Sequence, residues 1–304
     1  MRSDNEHLRG IAAFVHAAEA GNFSLAAERM HLSRSAVAKS VARLEARLGV
    51  RLFLRTTRSH SLTDDGQLFY QRCVQILRDL ELAEEELGQG RDEAVGKVRI
   101  TMPVLLGRRC IAPVLFALAQ QHAGLQLELS FTDRCVDMVE EGFDLAIRSG
   151  PLPDSATLAA RYLGEQRRLL CASPSYLAQR GEPQTLAELA GHDGILYGRA
   201  AQRGEWRFLN GASGESAAAI GARFCMDDLE MMLVAAEAGL GIARLPSWLI
   251  GESLQAGRVQ PVLTRQIIPA YPVHIVWPRA RQTSRKLRIV IDALLDGVPT
   301  LLDV

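Results

Sequence analysis

The spacing of hydrophobic residues divides the chain into a helical N-terminal part and a longer part in which strands and helices alternate. Residues 7–20 predict a first helix whose apolar face carries Ile11, Phe14, Val15 and Ala18. Residues 24–48 predict two short helices that meet at Leu32 and Ser33, with Ser24 and Ser33 as their N-caps. The second helix has an apolar stripe at helical spacing, formed by Val37, Val41, Leu44 and Leu48. Two helices around a tight turn are typical of the helix-turn-helix, which reads the DNA major groove.

A wing and a long helix are predicted next. Residues 51–63 alternate between apolar and polar positions and contain β-branched side chains, which predicts a two-stranded wing. Residues 63–88 predict a long helix with apolar residues at heptad spacing, namely Phe69, Cys73, Ile76, Leu80, Ala83 and Leu87. Acidic residues crowd its other faces, so we expect two copies of the chain to pair along this stripe. A helix packed on its own domain would show the same spacing.

From Gly96 onwards strands and helices alternate. Strands are predicted over 98–102, 125–131 and 143–148, with helices over 107–121 and 134–141 between them. This β-α-β-α-β order predicts a mainly parallel sheet.

A second unit is predicted over about 167–268. It contains a helix from Asp228 to Ala238, with Asp227 as its N-cap and Gly239 as its stop. The last residues predict a strand at VHIVWP and a helix over 286–295.

Charge is segregated along the chain although the totals balance. The 304 residues contain 35 basic and 35 acidic side chains. Between residues 29 and 58, however, Glu45 is the single acid, and the basic residues are Arg29, Arg34, Lys39, Arg43, Arg47, Arg51, Arg55 and Arg58. A local cationic patch on a neutral protein favours phosphate binding over an ordinary solvated helix pair.

Other classes of protein are disfavoured by what the sequence contains. The polar first residues predict no signal peptide, and the longest weakly polar run, 111–119, is too short to span a bilayer. The five cysteines are widely separated, which disfavours disulfides and zinc and fits the cytoplasm. We find no motif for a catalytic, metal or cofactor site, so the chain is not expected to be an enzyme.

Two groups of short segments stand out along the chain. In the N-terminal part they are Gly21-Asn22-Phe23-Ser24, Leu32-Ser33, Leu44-Glu45, Leu48-Gly49, Leu52-Phe53 and Leu62-Thr63. Further on they are the residues from Phe131 to Arg148, Cys171-Ala172-Ser173-Pro174 and Gly239 to Pro246. The first group resembles the DNA-binding domain of the LysR-type transcriptional regulators, and the second resembles the effector domain of their large proteobacterial branch.

This resemblance implies an α/β architecture of three parts. Residues 1–63 would form a winged helix-turn-helix, 64–91 a dimerising linker helix, and 92–304 an effector-binding domain similar to periplasmic solute-binding proteins. That domain would have lobe I at about 92–166 plus 269–304 and lobe II at about 167–268. The implied partners are double-stranded operator DNA, RNA polymerase, further copies of the chain in a dimer or dimer of dimers, and a small molecule between the lobes.

On this reading both binding sites have candidate residues. For DNA they are Ser24, Ser33, Arg34, Ser35, Val37 and Lys39, with Arg43, Arg51, Arg55 and Arg58 mainly on the backbone. For the effector they are Thr101, Met102, Pro103, Ser130, Thr132, Arg148, Tyr197, Arg203, Met226 and Arg244. Ligands of α/β sheets bind beyond the strand ends, beside helix N-termini that attract anions. Arg148 would hold a carboxylate, unless it forms a structural ion pair with Asp144 or Asp133.

Two alternatives stay open at this stage. The chain could be an α/β enzyme or solute-binding module whose N-terminal helices serve only as an oligomerisation arm. It could also be a thiol-based redox regulator in which Cys171 and Cys225 approach each other, although a buried thiol is usually inert.

Overall fold

The computed structural model describes residues 2–54, 61–87, 94–198, 205–209, 214–279 and 283–302. Two compact units divide the chain: unit 1 comprises Met1–Asp92 together with Val139–Gly142, and unit 2 comprises the remainder. Across the described ranges, no helix has both the length and the apolarity needed to cross a membrane.

Unit 1 begins with three helices, α1 (Arg2–Ala20), α2 (Phe23–Arg29) and α3 (Arg34–Leu48). The predicted cap of α2 is wrong, because Asn22 rather than Ser24 caps it: Asn22 Oδ1 accepts a hydrogen bond from Leu25 N at 2.8 Å. Ser33 does cap α3, since its Oγ accepts from Ala36 N at 3.2 Å. Helix α3 ends at Gly49, whose φ of 74° lies in the left-handed region that favours glycine.

The helices of unit 1 enclose one apolar core. Phe14 is fully buried, and its ring lies edge-on to that of Phe53 with 5.5 Å between centroids. From α3 the core receives Val37, Val41 and Leu44. Leu48, expected on the same stripe, is 37% exposed because α3 ends there.

The predicted wing is paired at its base. Phe53 and Leu62 form an antiparallel bridge, and Leu54 N donates to Ser61 O at 2.8 Å. Residues 55–60 lie outside the described part of the chain. Helix α4 (Asp64–Leu87) follows, and Thr63 caps it by accepting from Gly66 N at 2.9 Å through its Oγ1.

The heptad stripe of α4 divides between two environments. Phe69 and Cys73 pack on the core of unit 1, and Cys73 is fully buried there. Ile76 and Leu80 are 49% and 40% exposed. The prediction that Phe69 and Cys73 belong to the pairing surface is therefore wrong, because the start of α4 closes the core of its own unit. The side chains of Ala83 and Leu87 lie outside the described part.

Unit 2 contains two five-stranded sheets, each the centre of one lobe. The sheet of lobe I has the order β2-β1-β3-β12-β4, with β1 (Gly96–Met102), β2 (Leu125–Phe131), β3 (Leu145–Ser149), β4 (Leu158–Gln166) and β12 (Tyr271–Pro278). Strand β1 pairs in parallel with β2 and β3, whereas β12 runs antiparallel to β3 and β4. The three strands of the predicted β-α-β-α-β series are parallel, which confirms that prediction, and the antiparallel pairs come from β12, where the chain returns from lobe II.

The helices of lobe I also differ from the sequence pattern. Helix α5 (Val104–Leu106) continues through a π-helical turn (Gly107–Ile111) into α6 (Ala112–Gln121), so helix starts before residue 107. The helix predicted over 134–141 is wrong: the segment consists of turns and irregular backbone, and its buried residues, Val136 and Met138, are two positions apart, which fits no helical face. The last helix, α10 (Arg285–Leu302), runs beyond its predicted end.

Lobe II has the strand order β11-β5-β10-β6-β9. Its strands are β5 (Arg168–Ala172), β6 (Asp193–Tyr197), β9 (Gly221–Met226), β10 (Ile242–Pro246) and β11 (Gln260–Val262), beside a hairpin of β7 (Glu205–Leu209) and β8 (Glu215–Ala219). Its helices are α7 (Pro174–Arg180), a 3-10 turn (Ala187–Gly191), α8 (Leu229–Glu237) and α9 (Ser247–Gln255). Asp228, not Asp227, caps α8, and Gly239 follows it with a φ of 76°.

Candidate functional site

The first candidate site is the exposed face of α3. Ser33, Arg34, Ser35, Lys39 and Arg43 are all exposed. Ser35 and Lys39 each lie two positions from Val37, which places them about 160° around the helix from that buried residue. Because Val37 is 0% exposed in the core, its assignment as a base-reading residue is wrong. The buried stripe of α3 and its exposed cationic face are opposite sides of one helix.

The single acid between residues 29 and 58 is bonded to backbone amides. Glu45 Oε1 accepts hydrogen bonds from Leu52 N at 2.7 Å and from Phe53 N at 3.2 Å. Its carboxylate is therefore directed at the backbone that leads into the wing. Arg51 and Ser24 are exposed in the same unit, and Arg55 and Arg58 lie outside the described residues.

The second candidate site is a cavity of about 610 Å³ within unit 2, between the two lobes. This volume lies in the range of about 300–1,000 Å³ that is usual for small-molecule sites. Five of the predicted effector residues line it: Pro103, Thr132, Arg148, Tyr197 and Arg244. Arg203 lies outside the described residues.

Four other predicted residues do not line the cavity: Thr101, Met102, Ser130 and Met226. Thr101 and Met102 are each 1% exposed, because both faces of this sheet are covered and the strand ends inside the core. The cavity begins at the next residue, Pro103. Ser130 precedes the end of β2, and Met226 packs on the core beside α8.

At each of two helix N-termini beside the cavity, a carboxylate already accepts from a backbone amide. Asp133 Oδ1 accepts from Val104 N at 3.1 Å at the start of α5, and Asp228 Oδ1 accepts from Met231 N at 3.0 Å in α8. Both carboxylates belong to residues that line the cavity. The expected binding of an anion at these termini is therefore disfavoured, because the carboxylate already present at each terminus would repel a second negative charge.

Arg148 has a role that the sequence did not suggest. Its Nη2 donates to Val136 O at 2.8 Å, which ties β3 to the irregular segment before it. The two acids considered as its partners bind elsewhere: Asp144 Oδ2 accepts from Arg99 N, and Asp133 caps α5.

Sequence reasoning missed the residues where the chain crosses between lobes. Gln166 ends β4 and Arg168 begins β5, and both line the cavity, as does Tyr271 at the return crossing. Gln166 Nε2 donates to Ser149 Oγ at 3.0 Å, and its Oε1 accepts from Trp248 Nε1 at 3.1 Å. The predicted start of lobe II at residue 167 could have identified Gln166 and Arg168, because a segment that crosses between the lobes must pass the cleft.

Four arginines line the cavity, namely Arg108, Arg148, Arg168 and Arg244, and the last two are the most affected by burial. The Arg168 guanidinium lies 4.2 Å from the centroid of the Tyr271 ring, and that of Arg244 lies 6.0 Å from Trp206. Burial, with the positive charge of Arg168 as the next cause, lowers the pKa of Arg244 to about 10. Burial also lowers the pKa of Arg168. Guanidinium groups stay protonated at neutral pH, so these two arginines are partly desolvated cations.

The lobes are also connected across the cleft by charge. Arg109, in the π-helical turn of lobe I, approaches Glu230 of α8 with 3.1 Å between Nη2 and Oε1. Both side chains are about half exposed, so this ion pair contributes little to stability.

The cysteines do not form the redox pair considered above. Cys171 lies in β5 and Cys225 in β9, with β10 and β6 between them in the sheet. Strands three positions apart are separated by roughly 14 Å, whereas a disulfide requires Cα atoms within about 7 Å. All five cysteines are free thiols, and the described residues contain no cluster of His, Cys, Asp and Glu that would hold a metal.

Comparisons with known proteins match both units. The model of the bacterial regulatory helix-turn-helix proteins of the lysR family matches residues 8–67, and that of the LysR substrate binding domain matches residues 91–299. An uncharacterised HTH-type transcriptional regulator of Haemophilus influenzae is 33% identical over 93% of this chain and 97% of its own. The HTH-type transcriptional regulator CrgA of Neisseria meningitidis serogroup C is 32% identical over 97% of both chains. The solved structure of CrgA, a LysR-type transcriptional regulator from Neisseria meningitidis, has a TM-score of 0.60 at 30% identity, covering 95% of this chain and 98% of that one.

Proposed function

The chain belongs to the LysR-type transcriptional regulators, and we propose that the exposed face of α3 reads its operator DNA. Ser33, Arg34, Ser35 and Lys39 contact base edges and neighbouring phosphates. Arg43 and Arg51, with Ser24, contact the backbone, as do Arg55 and Arg58 of the wing. Backbone contacts of this kind set affinity and register, whereas contacts to base edges set sequence preference.

The observation that carries this proposal is the separation of charge from packing on α3. Its core side holds Val37, Val41 and Leu44, and the opposite side is cationic and exposed. The nearby carboxylate of Glu45 accepts from two backbone amides, and the exposed face of α3 presents its basic residues to the phosphates. Residues 1–63 thus act as the DNA-binding domain.

Two copies of this domain read a two-fold symmetric operator. The segment 64–91 serves as the dimerisation helix, and the exposed Ile76 and Leu80 of α4 supply its apolar contact. A dimer of dimers follows if the effector domains also pair. An isolated oligomerisation arm would need no cationic face, which disfavours the alternative of an enzyme with such an arm.

The effector domain, residues 92–304, holds a small molecule in the cavity between its lobes. A carboxylate suits the arginines that line it. The ligand changes lobe closure, and through it operator bending and the contact with RNA polymerase, to the extent that it binds one arrangement better than the other.

The test is operator binding by single variants, measured by gel shift with the region upstream of the gene. Arg34→Ala should weaken specific binding by about 1–3 kcal/mol and relax the preference at one position. Arg51→Ala should weaken binding to all sequences alike and reduce its salt dependence. The exposed Arg265→Ala, in lobe II, is the matched control and should bind as the parent does. Parent-like binding by both Arg34→Ala and Arg51→Ala would refute the assignment of α3.

A further inference from the structure

Arg168 and Arg244 form a pair of cations on one face of the lobe II sheet. Strands β5 and β10 are antiparallel, with Arg244 opposite Leu170 and Arg168 opposite Pro246. Arg168 and Leu170 are two residues apart, so both arginines project from the same face as diagonal neighbours. Such neighbours are separated by about 7–8 Å, a distance over which one carboxylate can accept from both guanidinium groups.

Neither cation has a carboxylate partner among the described residues. Within the described part of the chain, no carboxylate lies within ion-pair distance of Arg168 or Arg244, and the buried Nε of Arg168 has no hydrogen-bond acceptor. Their nearest defined partners are the aromatic rings of Tyr271 and Trp206, which hold the guanidinium groups in place but carry no charge. Like charges brought together out of water repel each other strongly, so an arriving anion relieves a standing electrostatic cost.

We propose that Arg168 and Arg244 together bind the carboxylate of a small monoanionic organic acid, and that this pair recognises the charge of the effector. The inference rests on the proposed function and adds to it the residues that select the carboxylate and the restriction to a single negative charge. Arg148 donates to the Val136 carbonyl and mainly stabilises the wall of the cavity.

The remaining lining of the cavity selects against more highly charged ligands. Asp133, Asp227 and Asp228 line the same space and repel a second negative charge. Two of them already occupy the helix N-termini that a phosphate would require. Apolar side chains complete the lining and suit a hydrocarbon body, among them Leu105, Ile195, Met232 and Trp248. An organic monocarboxylate fits these features better than inorganic phosphate.

The experiment is thermal unfolding of the full chain, followed by tryptophan fluorescence, with sodium benzoate, sodium hexanoate, benzamide or inorganic phosphate at equal ionic strength. At about ten times its dissociation constant, a bound acid should raise the Tm by about 3–6 °C. Benzamide, which lacks the charge, and phosphate should leave it unchanged. The rise should be lost in Arg168→Gln and Arg244→Gln and retained in Arg265→Gln, whose arginine is exposed away from the cavity.

Each other outcome overturns the inference. No shift with either carboxylate, a shift with phosphate alone, an equal shift with benzamide, or a shift that survives both glutamine variants would each do so. Unfolding without ligand shows that the variants are folded, and Arg244→Lys gives a second variant that keeps the charge but not the planar donor group. Gel shifts on the same preparations test the proposed function separately. If the parent protein did not bind operator DNA, the proposal of a DNA-binding regulator would be refuted, and the proposal of acid binding would be unaffected.

Discussion

Replacement of Gly66 by alanine should destabilise unit 1, although alanine is the better helix former. Gly66 lies in the first turns of α4, where the backbone of Leu52 crosses it. A Cβ added at Gly66 would lie 2.1 Å from Leu52 O and 2.9 Å from Leu52 C. A carbon and a carbonyl oxygen approach to about 3.3 Å at closest, so helix and wing would have to separate by roughly 1 Å.

The cost follows from the contacts that this separation breaks. Thr63 N donates to Leu52 O at 3.0 Å. Thr63 Oγ1 donates to Arg51 O at 2.6 Å and also accepts from Gly66 N at 2.9 Å. Three hydrogen bonds at about 1 kcal/mol each exceed the gain of about 1 kcal/mol in helix propensity. We therefore expect a net loss of about 2–4 kcal/mol in the free energy of unfolding of unit 1.

The two units can be followed separately. All three tryptophans, Trp206, Trp248 and Trp277, lie in unit 2, so fluorescence reports that unit alone, whereas far-UV circular dichroism also reports the helices of unit 1. In urea, Gly66→Ala should shift the dichroism transition to lower denaturant, leave the fluorescence transition in place and weaken operator binding. Gly49→Ala is the control: among the described residues no atom lies within 4 Å of its added Cβ, and its φ of 74° opposes the substitution by about 1 kcal/mol. A Gly66→Ala protein as stable as the parent, or more stable, would refute the steric argument.

Three further predictions follow from the local chemistry. Asn22→Ala should destabilise unit 1 by about 1 kcal/mol in the same urea assay, while Ser24→Ala should be neutral, because Asn22 is the cap of α2. Under native conditions at neutral pH, iodoacetamide should modify the exposed Cys135 and, by mass spectrometry, spare the buried thiols whose pKa values burial raises to about 11 or 12, namely Cys73, Cys110 and Cys171. Burial lowers the pKa of His192, so the unfolded chain binds its proton more readily, and the fluorescence-monitored Tm should fall as the pH drops below the ordinary value of 6.5. His192→Gln should flatten that dependence; an unchanged slope would contradict it.

Part of the DNA-binding face could be predicted because helical periodicity and charge are local properties. The stripe of α3 and its cationic opposite side follow from spacing alone. Val37 was assigned to both sides, and its complete burial decides between them. The cap of α2 was misplaced by two residues because serine and asparagine serve equally well at that position, and only the path of the chain shows which one precedes the first turn.

The cavity was located more accurately than its residues. Its place between the lobes follows from the order of strands, but Thr101 and Met102 were expected in it because a strand end does not reveal how deep the sheet is buried. Arg168 was missed because nothing in its neighbourhood distinguishes it from the other arginines. Its register beside Arg244, across strands more than seventy residues apart along the chain, is a tertiary fact.

The sequence by itself determined the helix-turn-helix, the cationic segment and the alternation of strands and helices, because each depends on residues within a few positions of one another. Only the tertiary structure decided which strands pair in which direction, which end of the α4 stripe is buried, and which charges meet in the cavity. These depend on contacts between distant segments. Local spacing does not specify whether a charged side chain meets an opposite charge there or remains unpaired.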